Sequence, residues 1–156
     1  LRTYEGRAAL KPTAELLQIM LDEAGFATAI AVAEYGANNE ALRAGDIELH
    51  LQAWGTAPQG DPGYFFETLL RSDAGLNDGG YASAELDRLL TAGRETFDAG
   101  ERKAIYDRVQ AIVAEDAPLI PLFHQTQLSV GNGRVVGYRI HPAETYLATP
   151  ELGLAE

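Results

Sequence analysis

The sequence predicts an α/β fold: a three-layer arrangement in which helices flank a mixed, largely parallel sheet. Three observations predict it. The first third of the chain alternates strand-like and helix-like patterns, the second half contains two capped helices, and 46% of the 156 residues are hydrophobic. Strands that alternate with helices favour parallel pairing through right-handed crossovers. A chain of this length buries one core without disulfides, so we expect one domain or a piece of a larger one.

The first third predicts the order strand, helix, strand, helix, strand. Each helix is expected to end at a glycine, Gly25 or Gly45, because glycine takes the left-handed conformation without a steric penalty. The third strand alternates between a drier and a wetter face. The predicted elements are a strand at 1–4, a helix at 11–24 with an apolar stripe of Leu16, Leu17, Met20 and Leu21, a strand at 26–32 covered on both faces, a helix at 38–44 and a strand at 47–54.

The second half begins with a glycine- and proline-rich loop, and its helices carry start signals. Ser83 is the expected N-cap of one helix, and Asp98 with Glu101 makes a capping-box-like start to the next. Asn132-Gly133 is a strong turn signal. The predicted elements are a loop at 55–63, helices at 64–71, 83–97 and 98–116, a strand at 122–130 and an extended tail at 142–156 that wraps along a surface.

Composition excludes several classes of protein. The formal net charge is −11, which argues against nucleic acid and anionic membranes because phosphate binding needs a basic face. The chain has no cysteine, so disulfides, thiolate catalysis and Cys-ligated zinc are excluded. No run of 18 apolar residues is present. The chain opens on Leu1 with neither an initiator Met nor a signal peptide, so we expect a segment cut from a larger protein.

Trp54 is the first candidate for ligand binding. Open α/β sheets bind ligands beyond the carboxyl ends of their strands, and Trp54 ends the third predicted strand. An indole offers a flat stacking surface and one N–H donor. The alternative is that Trp54 packs in the hydrophobic core and has no contact with a ligand. Asp61 follows in the same loop and has two interpretations as well, a cap for the next helix or a direct ligand contact.

Catalytic and metal-binding patterns are absent from the sequence. The histidines show no ligand spacing, and His124, within an apolar stretch, is expected to be a hydrogen-bonded core residue. No nucleophile elbow, phosphate loop or zinc-protease motif occurs. Asp87 with Arg88 and Glu101 with Arg102 are expected to be ordinary helix-surface charges. We therefore predict neither an enzyme nor a cofactor.

Several segments, taken in order, resemble one family, the extracytoplasmic solute-binding proteins of the dipeptide, oligopeptide and nickel importers. The similarity is to the C-terminal part of that family and covers nearly the whole chain. Each motif alone is weak, but the ordered set is fairly specific. The motifs are Ala14-Glu15-Leu16-Leu17-Gln18, Gly25-Phe26, Gly45-Asp46-Ile47-Glu48-Leu49, Trp54-Gly55 followed by Asp61-Pro62, the run from Tyr81 to Leu90, Asp98-Ala99-Gly100-Glu101-Arg102 and the run from Ala117 to Leu122.

The resemblance implies one lobe of a two-lobed periplasmic-binding-protein-like fold, in which both lobes close on a ligand. The loop after the Trp faces the cleft in this family, and peptide-binding members commonly place an Asp three positions after it. Ala57 occupies that position here. Nickel-importer members are similar in lacking that Asp, and they bind nickel chiefly inside an organic chelate. The expected ligand contacts are Trp54, Thr56, Gln59, Asp61 and Tyr64.

The implied function is the substrate-binding component of an ABC importer, which captures a small solute such as a peptide or chelated nickel. The implied partners are that ligand, an ABC permease in the membrane and the missing N-terminal lobe of the same protein, with an extracytoplasmic location. Two alternatives stay open. One is an independent α/β interaction or regulatory module, and the other is a piece of an enzyme whose catalytic groups lie elsewhere.

Overall fold

The computed structural model describes residues 1–55, 60–140 and 150–155. The chain divides into two compact units, Leu1–Trp54 and Gly55–Glu156. None of the helices in these described ranges is both long enough and apolar enough to cross a membrane.

The first unit follows the predicted alternation of strands and helices. Its elements are β1 (Arg2–Tyr4), α1 (Leu10–Glu23), β2 (Ala31–Ala33) and α2 (Tyr35–Arg43). β1 and β2 pair in parallel, with Thr3 opposite Val32. A parallel pair needs a crossover connection, and α1 supplies it. The predicted parallel strand–helix–strand unit is confirmed.

The core of the first unit lies between α1 and β1. Leu10 and Ala14 of α1 are buried with Tyr4 and Leu51, and Leu17 packs against this cluster. Positions 10, 14 and 17 follow the spacing of one helix face. The predicted stripe is wrong in part, because Leu16 and Met20 are exposed. The face of α1 that packs on β1 is rotated from the predicted face. The hydrophobic residues of α1 by themselves do not distinguish between the two faces.

The ends of both helices have a local cause. Gly25 and Gly45 follow α1 and α2 with φ of +92° and +77°, as predicted. α2 begins earlier than predicted because the Glu34 carboxylate accepts from the N–H groups of Gly36 and Ala37 at 2.7 and 3.1 Å. These hydrogen bonds, the one from Gly36 above all, lower the pKa of Glu34. Glu34 is an N-cap that the sequence pattern did not suggest.

Two predicted strands of the first unit are mostly not formed. The predicted strand at 26–32 is reduced to Ala31–Ala33, and Phe26 is 64% exposed instead of covered on both faces. The predicted strand at 47–54 contributes only an isolated bridge, between Arg2 and His50. Strands form where neighbours complete their ladders, and β1 is the only named strand beside β2 among the described residues.

The described residues of the second unit form three helices, and two of them begin at the predicted caps. The three are α3 (Gly63–Leu69), α4 (Ala84–Glu95) and α5 (Ala99–Asp116). The Ser83 hydroxyl accepts from the Leu86 N–H at 3.3 Å, and the Asp98 carboxylate accepts from the Glu101 N–H at 2.9 Å. Both predicted N-caps are confirmed.

The core of the second unit is formed where α4 packs on α5. Leu86 and Leu90 of α4 are fully buried, and so is Val109 of α5. Tyr106, Ile112 and Val113 add to the buried face of α5. α3 packs on α4 and buries Leu69. The apolar spacing of both helices predicts Leu86, Leu89 and Leu90 and then Ile105, Val109, Ile112 and Val113 as inward residues. All of these are buried except Leu89 and Ile105, which are partly buried, and Tyr106 is an unpredicted member.

The stretch after α5 differs from prediction. Residues 122–130 form neither helix nor strand, so the predicted strand there is wrong for this chain. The Asn132-Gly133 turn is present, with the Val135 N–H donating to the Asn132 carbonyl at 2.9 Å. It leads into β3 (Val135–Val136), which pairs antiparallel with β4 (Gly153–Leu154). Of the predicted tail, residues 142–149 and 156 lie outside the described residues, and part of the rest is β4.

Candidate functional site

Trp54 ends a segment that runs beside β1. The Arg2 N–H donates to the Leu49 carbonyl at 2.8 Å, and the Leu51 N–H donates to the Arg2 carbonyl at 2.9 Å. This pattern makes a parallel bridge between Arg2 and His50. Since β2 is also parallel to β1, Trp54 follows the carboxyl end of a parallel array. Ligands bind at this edge in α/β sheets.

Two side chains of β1 hold the segment in front of Trp54. The Thr3 hydroxyl, which is wholly buried, donates to the Leu51 carbonyl at 2.9 Å. The Tyr4 hydroxyl lies 3.3 Å from both the N–H and the carbonyl oxygen of Ala53, accepting from the first and donating to the second. The backbone is therefore fixed up to the residue before Trp54, whose side chain is half-buried.

Of the other four predicted ligand contacts, the structure describes two. Thr56 and Gln59 lie outside the described residues. Asp61 and Tyr64 belong to the second unit and Trp54 to the first. Tyr64, near the start of α3, is 40% exposed.

Asp61 carries a hydrogen-bond network at the start of α3. Its Oδ1 accepts from the Gly63 N–H at 2.7 Å, which satisfies one of the donors that the first turn of a helix leaves unpaired. Arg102, near the start of α5, donates through Nη2 to both carboxylate oxygens at 2.8 and 2.7 Å. The Asp61 side chain remains 42% exposed. Asp61 thus serves the helix start as the capping interpretation expects, although Pro62 occupies the N-cap position itself.

The charges of this network shift the pKa values of its members. Burial by itself raises the pKa of Asp61, but the hydrogen bonds from Arg102 and Gly63 and the charge of Arg102 outweigh it, so the pKa of Asp61 is lowered. The hydrogen bond to Asp61 raises the pKa of Arg102 in turn. Asp61 and Arg102 are therefore a charged pair throughout the neutral range.

Arg102 joins all three helices of the second unit. Its Nε donates to the Gly93 carbonyl at 2.8 Å, in the last turn of α4, where carbonyls lack partners within the helix. Its guanidinium lies 5.3 Å from the centre of the Tyr106 ring. One side chain thus connects the end of α4, the start of α5 and, through Asp61, the start of α3.

Tyr106 occupies a space that two glycines leave open. A Cβ at Gly63 would lie 2.5 Å from the Tyr106 hydroxyl, and a Cβ at Gly93 would lie 3.0 Å from the ring carbons. Burial raises the pKa of Tyr106, and the neighbouring charge of Arg102 partly offsets this. The absence of side chains at both glycines lets α3 and α4 approach this ring.

Arg102 and Tyr106 were missed as important residues by sequence reasoning. The expectation that Arg102 is an ordinary surface charge is wrong. A signal for Tyr106 exists, because positions 106, 109 and 113 share one helix face, and position 102 lies one turn before it. No such signal joins Arg102 to Asp61, which is far away in the sequence.

The histidines do not form a metal site in the part of the chain that the structure describes. His50 Nε2 lies 3.0 Å from Nδ2 of the fully buried Asn38. His124 is exposed, so its predicted core position is wrong. His141 lies outside the described residues. No group of three or more His, Asp or Glu residues converges within the described ranges.

No family model matches the chain, but comparison with known proteins finds relatives that are named for binding different solutes, among them deoxycholate, nickel and di- or tripeptides. The nickel-binding protein NikA of Staphylococcus aureus is 29% identical over 155 residues, which cover 93% of this chain and 29% of that protein. Di/tripeptide-binding protein 4 of Pseudomonas aeruginosa is 31% identical over 132 residues, 83% of this chain and 25% of that protein. The chain therefore spans about a quarter of the length of the curated relatives it matches.

The solved structures agree on the fold. The dipeptide-binding protein from Pseudoalteromonas sp. SM9913 in complex with Met-Leu superposes with a TM-score of 0.73 at 25% identity, over 91% of this chain and 30% of that one. The predicted α/β, periplasmic-binding-protein-like fold is confirmed, with smaller sheets than expected. The resemblance inferred from the ordered motifs is confirmed as well. In sequence and fold the chain corresponds to one segment of the dipeptide-, oligopeptide- and nickel-binding protein family.

Proposed function

We propose that the chain is a C-terminal lobe segment of the substrate-binding component of an ABC importer, and that the complete protein captures a small solute. The solute is a peptide or chelated nickel, by analogy with relatives that are named for binding di- and tripeptides or nickel. The observation that carries the proposal is the position of Trp54 at the carboxyl end of a parallel array, behind a backbone held by Thr3 and Tyr4. The correspondence to this family supports the same assignment.

The ligand contacts in this proposal are Trp54, Thr56, Gln59, Asp61 and Tyr64. Trp54 stacks on the ligand, and the polar residues meet its hydrogen-bonding groups. Asp61 is exposed enough to take part while it remains bonded to Arg102, and Tyr64 is 40% exposed. Further contacts in this proposal come from the N-terminal lobe that the family resemblance implies.

The mechanism in this proposal is passive capture. The ligand binds the closed form more tightly than the open form and shifts an existing equilibrium toward closure. Hinge closure of two lobes is the repertoire of periplasmic binding proteins. The closed form then docks on a membrane permease, outside the cytoplasm. No step requires a catalytic group, a cofactor or a nucleic acid.

Isothermal titration calorimetry on the full-length gene product tests the proposal. The probes are the dipeptide Met-Leu, nickel(II) with two equivalents of L-histidine, and an oligosaccharide. We expect saturable one-to-one binding of the dipeptide or the nickel complex, and a loss of affinity of about tenfold or more in Trp54→Ala, since buried aromatic contacts dominate binding energy.

The matched control is Phe97→Ala, which removes an exposed aromatic ring outside the proposed contacts and should leave the affinity unchanged. Unchanged affinity in Trp54→Ala would assign Trp54 to the core instead of the site. If the full-length protein binds neither the dipeptide nor the nickel complex, whether or not it binds the oligosaccharide, the proposed ligand class is contradicted.

A further inference from the structure

Asn132 differs from the other asparagines of the chain in its surroundings. It lies outside the helices and strands, at the turn that leads into β3, and residues 131–140 are all exposed. The next residue, Gly133, has no side chain, and within the described residues its N–H donates no hydrogen bond. The side-chain amide of Asn132 therefore lies in water beside an unhindered backbone nitrogen.

The hydrogen bonds of this turn favour addition to the Asn132 side chain. Its Oδ1 accepts from the Arg134 N–H at 3.0 Å. When a nucleophile adds to the amide carbon Cγ, negative charge develops on Oδ1, and a donor that is already in place stabilises this charge. The Val135 N–H also donates to the main-chain carbonyl of Asn132 at 2.9 Å, which keeps the backbone turned around Gly133.

The other three asparagines are held by their surroundings. Asn38 is fully buried and, with Asn39, belongs to α2, where N–H groups bond carbonyls four residues back. Asn77 Nδ2 donates to the carbonyls of Arg71 and Tyr81 at 3.2 and 2.7 Å, and its Oδ1 accepts from the Tyr81 N–H at 3.1 Å. The turn before β3 is therefore where an asparagine amide is most open to attack.

We propose that Asn132 is a site of spontaneous deamidation, a covalent modification that needs only water. The Gly133 nitrogen loses its proton and bonds to Cγ of Asn132, the Cγ–Nδ2 bond breaks, and Nδ2 leaves as ammonia with that proton. The product is a five-membered succinimide ring. Water then opens the ring at Cγ, which leaves Asp, or at the main-chain carbonyl, which leaves isoAsp. The net reaction consumes one water and releases one ammonia.

The modification changes the connection to β3. In the isoAsp product the main chain runs through the side-chain carbons of residue 132, and the carbonyl that accepts from the Val135 N–H becomes a free carboxylate. β3 pairs with β4, and the Ala155 N–H donates to the Arg134 carbonyl at 2.7 Å. IsoAsp at position 132 therefore weakens this pairing, and either product adds a negative charge to a chain of formal charge −11.

Peptide mapping of the full-length gene product during incubation in mildly alkaline buffer tests the proposal. The tryptic peptide between Arg108 and Arg134 contains no other asparagine, so mass spectrometry assigns the conversion to one position. We expect Asn132 to convert about tenfold or more faster than Asn77, and to give isoAsp as well as Asp. In the separated isoAsp form, the Ala155 amide should exchange with solvent about tenfold faster than in the unmodified protein.

Gly133→Ala is the variant that tests the ring closure. A Cβ at Gly133 would meet no atom within 4 Å, so the turn should be retained. The new methyl group stands beside the attacking nitrogen and should slow the conversion about tenfold or more. Gly131→Ala is the matched control on the other side of Asn132. Its Cβ would lie 3.9 Å from the Val135 Cβ, an ordinary contact, and the rate should be unchanged.

Conversion of Asn132 no faster than that of Asn77 would overturn the proposal. Formation of Asp without isoAsp would overturn it too, since direct hydrolysis of the amide needs no ring. An unchanged rate in Gly133→Ala, with a circular dichroism spectrum like that of the parent, would be equally decisive against it. The proposed function does not depend on these results, because Asn132 is not among the proposed ligand contacts.

Discussion

Arg102 and Asp61 lie 41 positions apart in the sequence, and the guanidinium of Arg102 donates to both carboxylate oxygens of Asp61. The same guanidinium group bonds the last turn of α4 and lies over the Tyr106 ring. Asp61 in turn accepts from the first N–H of α3. This pair connects the three helices of the second unit, as the Tyr106 ring does by packing, and Asp61 lies near the end of the predicted loop at 55–63.

Loss of Arg102 should therefore weaken the second unit more than loss of an exposed ion pair. We expect Arg102→Ala to lower Tm of the 156-residue chain by about 4 °C, because the Asp61 carboxylate and the Gly93 carbonyl both lose a donor. The control is Arg108→Gln on the same helix, which breaks an exposed pair with Glu85 at 2.8 Å and should cost less than about 1 °C. Circular dichroism during thermal unfolding measures both Tm values. Equal decreases in Tm in the two variants would contradict a special role for Arg102.

The lowered pKa of Asp61 predicts a dependence of stability on pH. A carboxyl whose pKa is lower in the folded protein stabilises fully above its unfolded value of about 4 and loses this contribution as pH falls through the folded value. Asp61→Asn should therefore be less stable than the parent at pH 7, and the difference in Tm should shrink between pH 4 and pH 2. Thermal unfolding across this range measures it. A difference that stays constant down to pH 2 would show that the charge of Asp61 does not contribute.

The space around Tyr106 gives a prediction that distinguishes two glycines. Gly63→Ala places a methyl group against the Tyr106 hydroxyl and should cost about 1–3 kcal/mol of unfolding free energy. Tyr106→Phe removes that hydroxyl, so the Gly63→Ala cost should fall in the Phe background. The cost of Gly93→Ala should fall less, since its Cβ would lie 3.0 Å from two ring carbons that remain in Phe, as well as 3.1 Å from the hydroxyl. Urea unfolding of the single and double variants measures this, and equal relief of both alanine variants would contradict the packing described.

The Thr3 hydroxyl should stabilise the segment that leads to Trp54. Thr3→Val keeps the shape of the buried side chain but removes the donor to the Leu51 carbonyl, which should cost about 1–2 kcal/mol. Thr13→Val is the matched control, because the Thr13 hydroxyl donates to the Ala9 carbonyl at the start of its own helix at 2.7 Å. Its expected effect is below about 0.5 kcal/mol. Urea unfolding followed through Trp54 fluorescence compares them, and a neutral Thr3→Val would exclude this role.

Local signals in the sequence determine a large part of this fold by themselves. Ser83 and Asp98 are identifiable as caps because a cap acts on N–H groups two or three residues away. Gly25 and Gly45 end their helices for the same local reason. The family is also accessible from the sequence, because its motifs occur in order along one chain. Trp54 is predictable as a candidate from its position after a strand-like segment, although its contact with a ligand stays a prediction.

Only the tertiary structure decided which surfaces meet. The hydrophobicity of α1 allowed the Leu16 and Met20 face, but packing on β1 chose Leu10, Ala14 and Leu17. The strand pattern at 122–130 is present in the sequence, yet a strand exists only where a partner supplies its hydrogen bonds. Arg102 looked like any helix-surface charge, and its partner Asp61 lies 41 positions away. Caps and turns depend on neighbours along the chain, whereas ion pairs, sheet ladders and core faces depend on neighbours in space.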